Sequence, residues 1–435
     1  MESRSIVRRS WSRVLFVVML CLTCLGLLST HFSASSGITI LRHSPNGALP
    51  DFPFLRYDLN RLDYYGDSTH FNRFYNMLDE LIFTGNGEID ILHMGGSHVQ
   101  AGVLSNRLRE DFFSLSENLQ GARGFLFPFR LAHTNSPFNL KADYTGEWEG
   151  CKNSHNKHQC NWGLAGYTAT TLDSAATIKL WSFNSDSINY PFTIVKVYYD
   201  MSPQSYEVCL DSGLTALREE RDSLENCVTY YLDQAYDTLR LEILKTDSLQ
   251  DHFSLQGIFL DDHIDKGISY HAVGVNGASV PSYLRCGLLG AQLRSIQPDL
   301  VIFGIGINDA YMSTGSFRQS TFEANYDSLI QQILAVNPNA NFLFLTNNDS
   351  YYKRRHANRN ALGVQTGMIN LATKYNGAVW DLFEIMGGLN SISTWEQAGL
   401  AKKDKIHFTP EGYILEADLL FMAIRKAYGD YLERN

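Results

Sequence analysis

Along this chain the spacing of apolar residues changes twice, and each change marks a different kind of structure. After a lead-in that starts near residue 37, apolar positions from Phe71 to Leu81 recur at helical spacing and predict an early helix. Glu88 to Met94 is a near-continuous apolar run that halts at Gly95-Gly96, the signature of a buried strand. Directly after it, Val103, Leu104, Leu108, Phe112 and Phe113 fall on one side of a helix predicted over Val99 to Phe113. Strand, glycine turn and helix make the first unit of an α/β sheet.

From about Leu131 to His263 the helical period disappears and two-residue alternation replaces it. Residues 177–183, 192–200, 205–210, 227–232 and 238–244 read as short strands between polar turns, which predicts an all-β sandwich or jelly roll. The earlier pattern then resumes. Strands are predicted at Asp299 to Gly304, Asn341 to Thr346 and Ala378 to Leu382, with helices at Phe322 to Leu334, about His356 to Tyr375, and Pro410 to Tyr428. Strands alternating with helices imply a parallel sheet covered on both faces. The expected fold class is α/β with a parallel sheet, interrupted by an inserted β-sandwich. The expected segments are 1–36 as signal peptide or signal anchor, 37–130, an insertion over 131–263, and 264–435.

Composition narrows the partners. The formal net charge is −10 and the body of the chain has no Lys/Arg run, so nucleic acid is not an expected partner. At the N-terminus, Arg4, Arg8, Arg9 and Arg13 precede an apolar stretch from Val14 to Leu28 and then Ser33-Ala34-Ser35-Ser36. Basic, apolar and small-residue regions in that order predict a secretory signal. The apolar run is shorter than the ~20 residues of a spanning helix, which favours cleavage; an uncleaved membrane tether is the alternative. Cysteine usage agrees with export. Cys21 and Cys24 lie in the signal, Cys151 with Cys160 and Cys209 with Cys227 are the expected disulfides, and Cys286 is left over. His155 and His158 fall between Cys151 and Cys160, but an oxidising compartment favours the disulfide over a metal site there.

Three short segments at predicted strand ends carry chemistry, where open α/β sheets place their sites. In residues 93–102, Ser97 follows two glycines where strand becomes helix, which exposes its hydroxyl beside free helix N–H groups. A serine there also serves as an ordinary cap. In residues 303–311, Asn308 sits in a glycine-punctuated turn, and its amide can donate to an oxyanion; a plain Asn-Asp turn is the competing reading. In residues 402–413, Asp404 and His407 are three apart just before the helix start Thr409-Pro410-Glu411. That spacing brings carboxylate and imidazole together, as a serine nucleophile needs, although a lone pair of this kind is more often a surface feature.

Taken together and in this order, the segments resemble the SGNH, or GDSL-like, hydrolases. The matching residues are Ser97, Gly277 within 273–279, Asn308 in Gly306-Ile307-Asn308-Asp309, and Asp404 with His407. The resemblance implies a flavodoxin-like three-layer α/β/α domain over roughly 86–130 and 264–435. It implies Ser97, His407 and Asp404 as the catalytic set, with the N–H groups of Ser97 and Gly277 and the Asn308 side chain as the oxyanion hole. No cofactor and no metal are implied. Gly96 departs from the family, which usually has Asp before the serine. A carbohydrate-binding-like β-insertion, with Gly-Ser-His at the nucleophile, is similar to bacterial peptidoglycan O-acetylesterases. The implied function is an exported serine esterase of the periplasm or cell envelope that removes O-acetyl groups from a glycan, peptidoglycan first. Plant or host glycans are the alternative substrates, and a non-hydrolytic binding or acetyl-transferring envelope protein is the alternative class.

Overall fold

A computed structural model describes residues 49–262 and 266–434, so the export segment with Cys21 and Cys24 lies outside the described residues. Six strands form the first sheet: β1 (Asp63–Tyr64), β2 (Glu88–Gly95), β3 (Gly267–Gly274), β4 (Leu300–Gly304), β5 (Asn341–Leu345) and β6 (Ala378–Trp380). Their order is β1-β6-β5-β4-β2-β3, parallel throughout except that β1 runs antiparallel to β6. Consecutive residues such as Ile91-Leu92, Val301-Ile302 and Leu343-Phe344 are all buried, because both faces of the sheet are covered. Helices α1 (Asn72–Thr84), α3 (Val103–Phe113) and α6 (Pro410–Leu432) pack in one hydrophobic cluster. On the other face, α4 (Gln319–Leu334) and α5 (Ala361–Tyr375) pack in a second. The expected parallel α/β fold is therefore present, and strand order reverses at the β2/β4 boundary, where this architecture opens a crevice at the strands' carboxyl ends.

Two predicted helices differ in extent. The one over 99–113 splits into α2 (Ser97–Gln100) and α3 at Gly102, whose φ of 78° no ordinary helix accommodates. A side chain there would also press into Pro137, with its Cβ at 2.5 Å. The helix predicted from His356 starts at Ala361 instead, because Tyr351–Tyr352 and His356–Ala357 pair as a short hairpin. Among the described residues no helix is long and apolar enough to cross a membrane.

The connection from β2 to β3 carries two antiparallel sheets. The four-stranded one runs Leu140–Tyr144, Ala175–Ser182, Thr238–Leu244, Glu207–Leu210, and it alternates cleanly: Ile178, Leu180, Leu239, Leu241 and Ile243 point inward. The seven-stranded one centres on Phe192–Tyr199 and Phe253–Asp261, and these central strands are largely buried on both faces. One face meets the four-stranded sheet. The other reaches the α/β layer, where Phe259 stacks on His271 of β3 at 5.7 Å. Gly124–Leu126 also pairs with Phe253–Asp261, so this sheet draws in a strand ahead of residue 131. Ala216–Asp222 is a strand that alternation could not reveal, since every residue in it is exposed.

Cys151 and Cys160 are bonded, but Cys209 and Cys227 are not, which corrects the expected second disulfide. The pleat explains it. Val208 and Tyr230 point into the sandwich, where the Tyr230 hydroxyl donates to Val208 O at 2.7 Å. Cys209, next to Val208, and Cys227, three positions before Tyr230, therefore point away from that shared interior, Cys209 half-buried and Cys227 buried. Trp148 and Trp162 are buried, serving the core rather than an open sugar-stacking surface.

Candidate active site

β2 ends at Gly95, and the chain turns at Gly96 into α2, whose first residue is Ser97. Tyr283 holds this turn by donating its hydroxyl to Gly95 O at 2.8 Å. Ser97 Oγ–H donates to His407 Nε2 at 2.8 Å across 310 positions of sequence. His407 Nδ1–H in turn donates to Asp404 Oδ2 at 2.8 Å. The three residues named from the spacing thus form one hydrogen-bonded chain of hydroxyl, imidazole and carboxylate.

Local structure keeps that chain in place. Asp404 Oδ1 accepts from the backbone N–H of both Ile406 (2.9 Å) and His407 (3.0 Å), which closes a tight turn before α6. The turn is pinned from outside by Asn348 Nδ2 donating to Ile406 O and by Tyr351 N–H donating to Lys405 O. Partial burial pushes the Asp404 carboxyl up, but the hydrogen bonds from His407 and Ile406 outweigh it and leave the group below its ordinary value. An ionised Asp404 fixes the proton on His407 Nδ1 and leaves Nε2 free to accept from Ser97.

Asn308 follows β4 in a single helical turn, Ile307–Ala310, and donates one amide hydrogen to Ala278 O at 2.8 Å. A Cβ on Gly96 would lie 3.3 Å from Asn308 Nδ2, so Asn308 borders the nucleophile turn directly. Gly277 stands in the loop after β3 with φ 80°, a conformation that suits glycine, and it is exposed. Among the described residues no acceptor meets the N–H of Ser97 or of Gly277. Two backbone donors and the second Asn308 hydrogen are therefore uncommitted. Asp309 accepts from the Val280 N–H at 3.2 Å, tying the Asn308 turn to the segment that follows Gly277. Burial raises Asp309 to about 7, partly offset by that N–H.

His98, the residue after the nucleophile, supports the catalytic imidazole from behind. Its ring stacks on His407 with centroids 5.1 Å apart, and its Nδ1 meets the Tyr413 hydroxyl at 3.1 Å. Burial, reinforced by the charge that His407 can carry, lowers His98 to about 3, so it is a neutral platform under the imidazole. Its adjacency to Ser97 was the available signal. Asn348, just past the end of β5, anchors the histidine loop. Among the described residues no group of three or more His, Cys, Asp or Glu side chains is placed to hold a metal ion.

Residues 254–415 match the GDSL-like Lipase/Acylhydrolase family. Among solved structures, the chain is similar to one described as a peptidoglycan O-acetylesterase in action, at 18% identity and a TM-score of 0.66, covering 85% of this chain and 99% of that one. An acetyl xylan esterase matches at 22% identity over 36% of this chain and 80% of its own, with a TM-score of 0.28. A GDSL-like lipase from Bacteroides thetaiotaomicron matches at 22% identity over 36% of this chain and 76% of its own, with a TM-score of 0.27. No curated protein matches the chain. The family match thus covers the C-terminal part of the α/β layer, with Asn308, Asp404 and His407, and the structural match extends the likeness in fold to most of the chain.

Proposed function

We propose that this chain is an exported serine esterase that removes O-acetyl groups from a carbohydrate, with O-acetylated peptidoglycan of the bacterial cell envelope as its substrate. The carrying observation is the Ser97–His407–Asp404 chain of hydrogen bonds, which opens beside the uncommitted donors of Ser97, Gly277 and Asn308. In the first step Ser97 Oγ attacks the acetyl carbonyl carbon while its proton passes to His407 Nε2. The carbonyl oxygen becomes an oxyanion held by the N–H groups of Ser97 and Gly277 and by Asn308 Nδ2. As the intermediate collapses, the imidazolium returns the proton to the departing sugar oxygen and leaves acetyl-Ser97. Water, deprotonated by His407, then releases acetate and restores the serine. Asp404 stays ionised throughout and stabilises the charged imidazole.

The fold shared with a peptidoglycan O-acetylesterase directs the choice of glycan. The arginine-flanked apolar segment and the Cys151–Cys160 disulfide support export to an oxidising envelope compartment. The test is acetate release by a 37–435 chain and by its Ser97→Ala variant, each offered O-acetylated peptidoglycan and acetylated xylan. Acetate from peptidoglycan that disappears in the variant is expected. Acetate from xylan alone would move the substrate to plant glycans, and no acetate from either, nor from a small activated acetyl ester, would overturn the esterase reading.

A further inference from the structure

Behind the nucleophile helix lies a small internal cavity of about 20 Å³ whose walls include Val99, Gln100, Ser105, Asn106, Arg123 and Phe127. Arg123 enters it from the segment before Gly124–Leu126 and is 4% exposed; Arg109 of α3, bonded to the lining residue Asn106, is 0% exposed. Neither guanidinium has a carboxylate partner among the described residues. Arg123 Nε donates to Ser182 Oγ at 2.8 Å. Arg109 donates to Asn106 Oδ1 at 2.5 Å and Tyr270 O at 2.8 Å, and it lies 5.4 Å over the Tyr270 ring. Asp90 uses one oxygen on His271 and bonds neither arginine. Two buried cations without a counter-charge are costly in a low-dielectric interior. That cost is visible in Arg123, which burial and then the Arg109 charge lower to about 9.

The atoms left unpartnered in this cluster share one chemistry. Arg123 Nη1, Arg109 Nε and Asn139 Nδ2 are donors, and the fourth, Ser105 Oγ, can donate as well. Asn139 joins the cluster because its Oδ1 accepts from Asn106 Nδ2 at 2.7 Å. A water molecule accepts from such groups but adds no negative charge, and it brings two hydrogens that need acceptors of their own. An anion in the cavity accepts from the two donors on its wall, Arg123 Nη1 and Ser105 Oγ, and neutralises guanidinium charge. The volume suits a single water-sized or monatomic species.

We propose that this cavity binds one halide ion, with chloride the physiological occupant, held by Arg123 Nη1 and Ser105 Oγ and balanced by the charge of Arg109. The site reaches the reaction centre through its Gln100 wall, because Gln100 Oε1 accepts from Asn276 N–H at 2.6 Å, one residue before Gly277. Occupancy thereby stiffens the loop that carries the exposed glycine.

Crystals of the full chain soaked in sodium bromide and measured at the bromine edge give the direct test. An anomalous peak between Arg123 Nη1 and Ser105 Oγ is expected, and density there with no bromine signal would overturn the site. In solution, chloride or bromide should raise the unfolding midpoint by about 2–4 °C over sodium gluconate at equal ionic strength, and the rise should saturate. Ser105→Ala, a mild change, should weaken that dependence, and Arg123→Met should abolish it. Equal midpoints in all three salts for the unsubstituted chain would sink the proposal whether or not Arg123→Met folds.

Discussion

Two histidine–aspartate pairs of nearly equal length occupy different regions of the parallel-sheet layer. In the interior, His271 of β3 donates from Nε2 to Asp90 of β2 at 2.7 Å. At the carboxyl edge, His407 donates from Nδ1 to Asp404 at 2.8 Å. What differs is the second ring nitrogen. His271 Nδ1 accepts from the Phe125 backbone N–H at 2.9 Å, so both nitrogens are committed to holding strands together. His407 Nε2 faces the Ser97 hydroxyl instead. Burial, then Arg109 and Arg123, lower His271 to about 3 and keep its ring neutral. The two aspartates also move in opposite directions. Burial first, then the charges of Asp299 and Asp261, push Asp90 well up, whereas the hydrogen bonds of its turn hold Asp404 down. A pair of this kind is thus a structural clasp or a proton relay according to what its free nitrogen meets and how much water reaches it.

The comparison breaks most sharply at Asp404. Asp404→Asn should lower kcat on an acetyl ester by about 10⁴ while the fold persists, since the wrong tautomer of His407 is then favoured; an unchanged kcat would make the edge pair as structural as the interior one. Asn308→Ala comes next, with kcat expected to fall on the order of 10²–10³ through loss of an oxyanion donor. Equal kcat in the variant would remove that role from Asn308. His271→Ala should leave kcat near that of the parent chain but cost about 1–3 kcal/mol in urea unfolding, because it strands the Phe125 N–H and an Asp90 oxygen in the interior. Lost turnover in a chain that remains folded would contradict the clasp.

The smallest effects are the pH slopes, and they carry opposite signs. The folded-state pKa of Asp404 is depressed, so its contribution to stability is present at neutral pH and is lost as pH falls through that value. That of Asp90 is raised, so its contribution is full at low pH and is lost as pH rises from the ordinary carboxylate range toward the folded value. Relative to the parent chain, Asp404→Asn should therefore lose stability as pH rises from 3 to 8, and Asp90→Asn should gain it, as followed by denaturant midpoints. Slopes of the same sign would show that the two carboxylates do not sit in contrasting environments.

Much of the edge site was legible because its parts are local. A glycine turn after an apolar run places Ser97 at a helix start, and Asp404 reaches His407 within one turn of chain. The interior pair left no such trace, since Asp90 and His271 are 181 positions apart and look like any polar residues within strands. The stacking of His98 on His407 was hidden for the same reason. So was the separation of Cys209 from Cys227: proximity in sequence suggested a bond, and the pleat turns both side chains away from the interior that the two sheets share.

By itself the sequence determined most of the strands and helices of the parallel-sheet layer, the change to two-residue alternation in the middle of the chain, and which residues stand at strand ends. Those are consequences of period, turn chemistry and capping over a few residues. Tertiary structure alone decided that Ser97 meets His407 rather than simply capping α2, that Asn308 borders the nucleophile turn, and that Arg123 enters a cavity behind it. These depend on strand order, which sets β2 between β3 and β4 and brings residues from distant parts of the chain to a single edge.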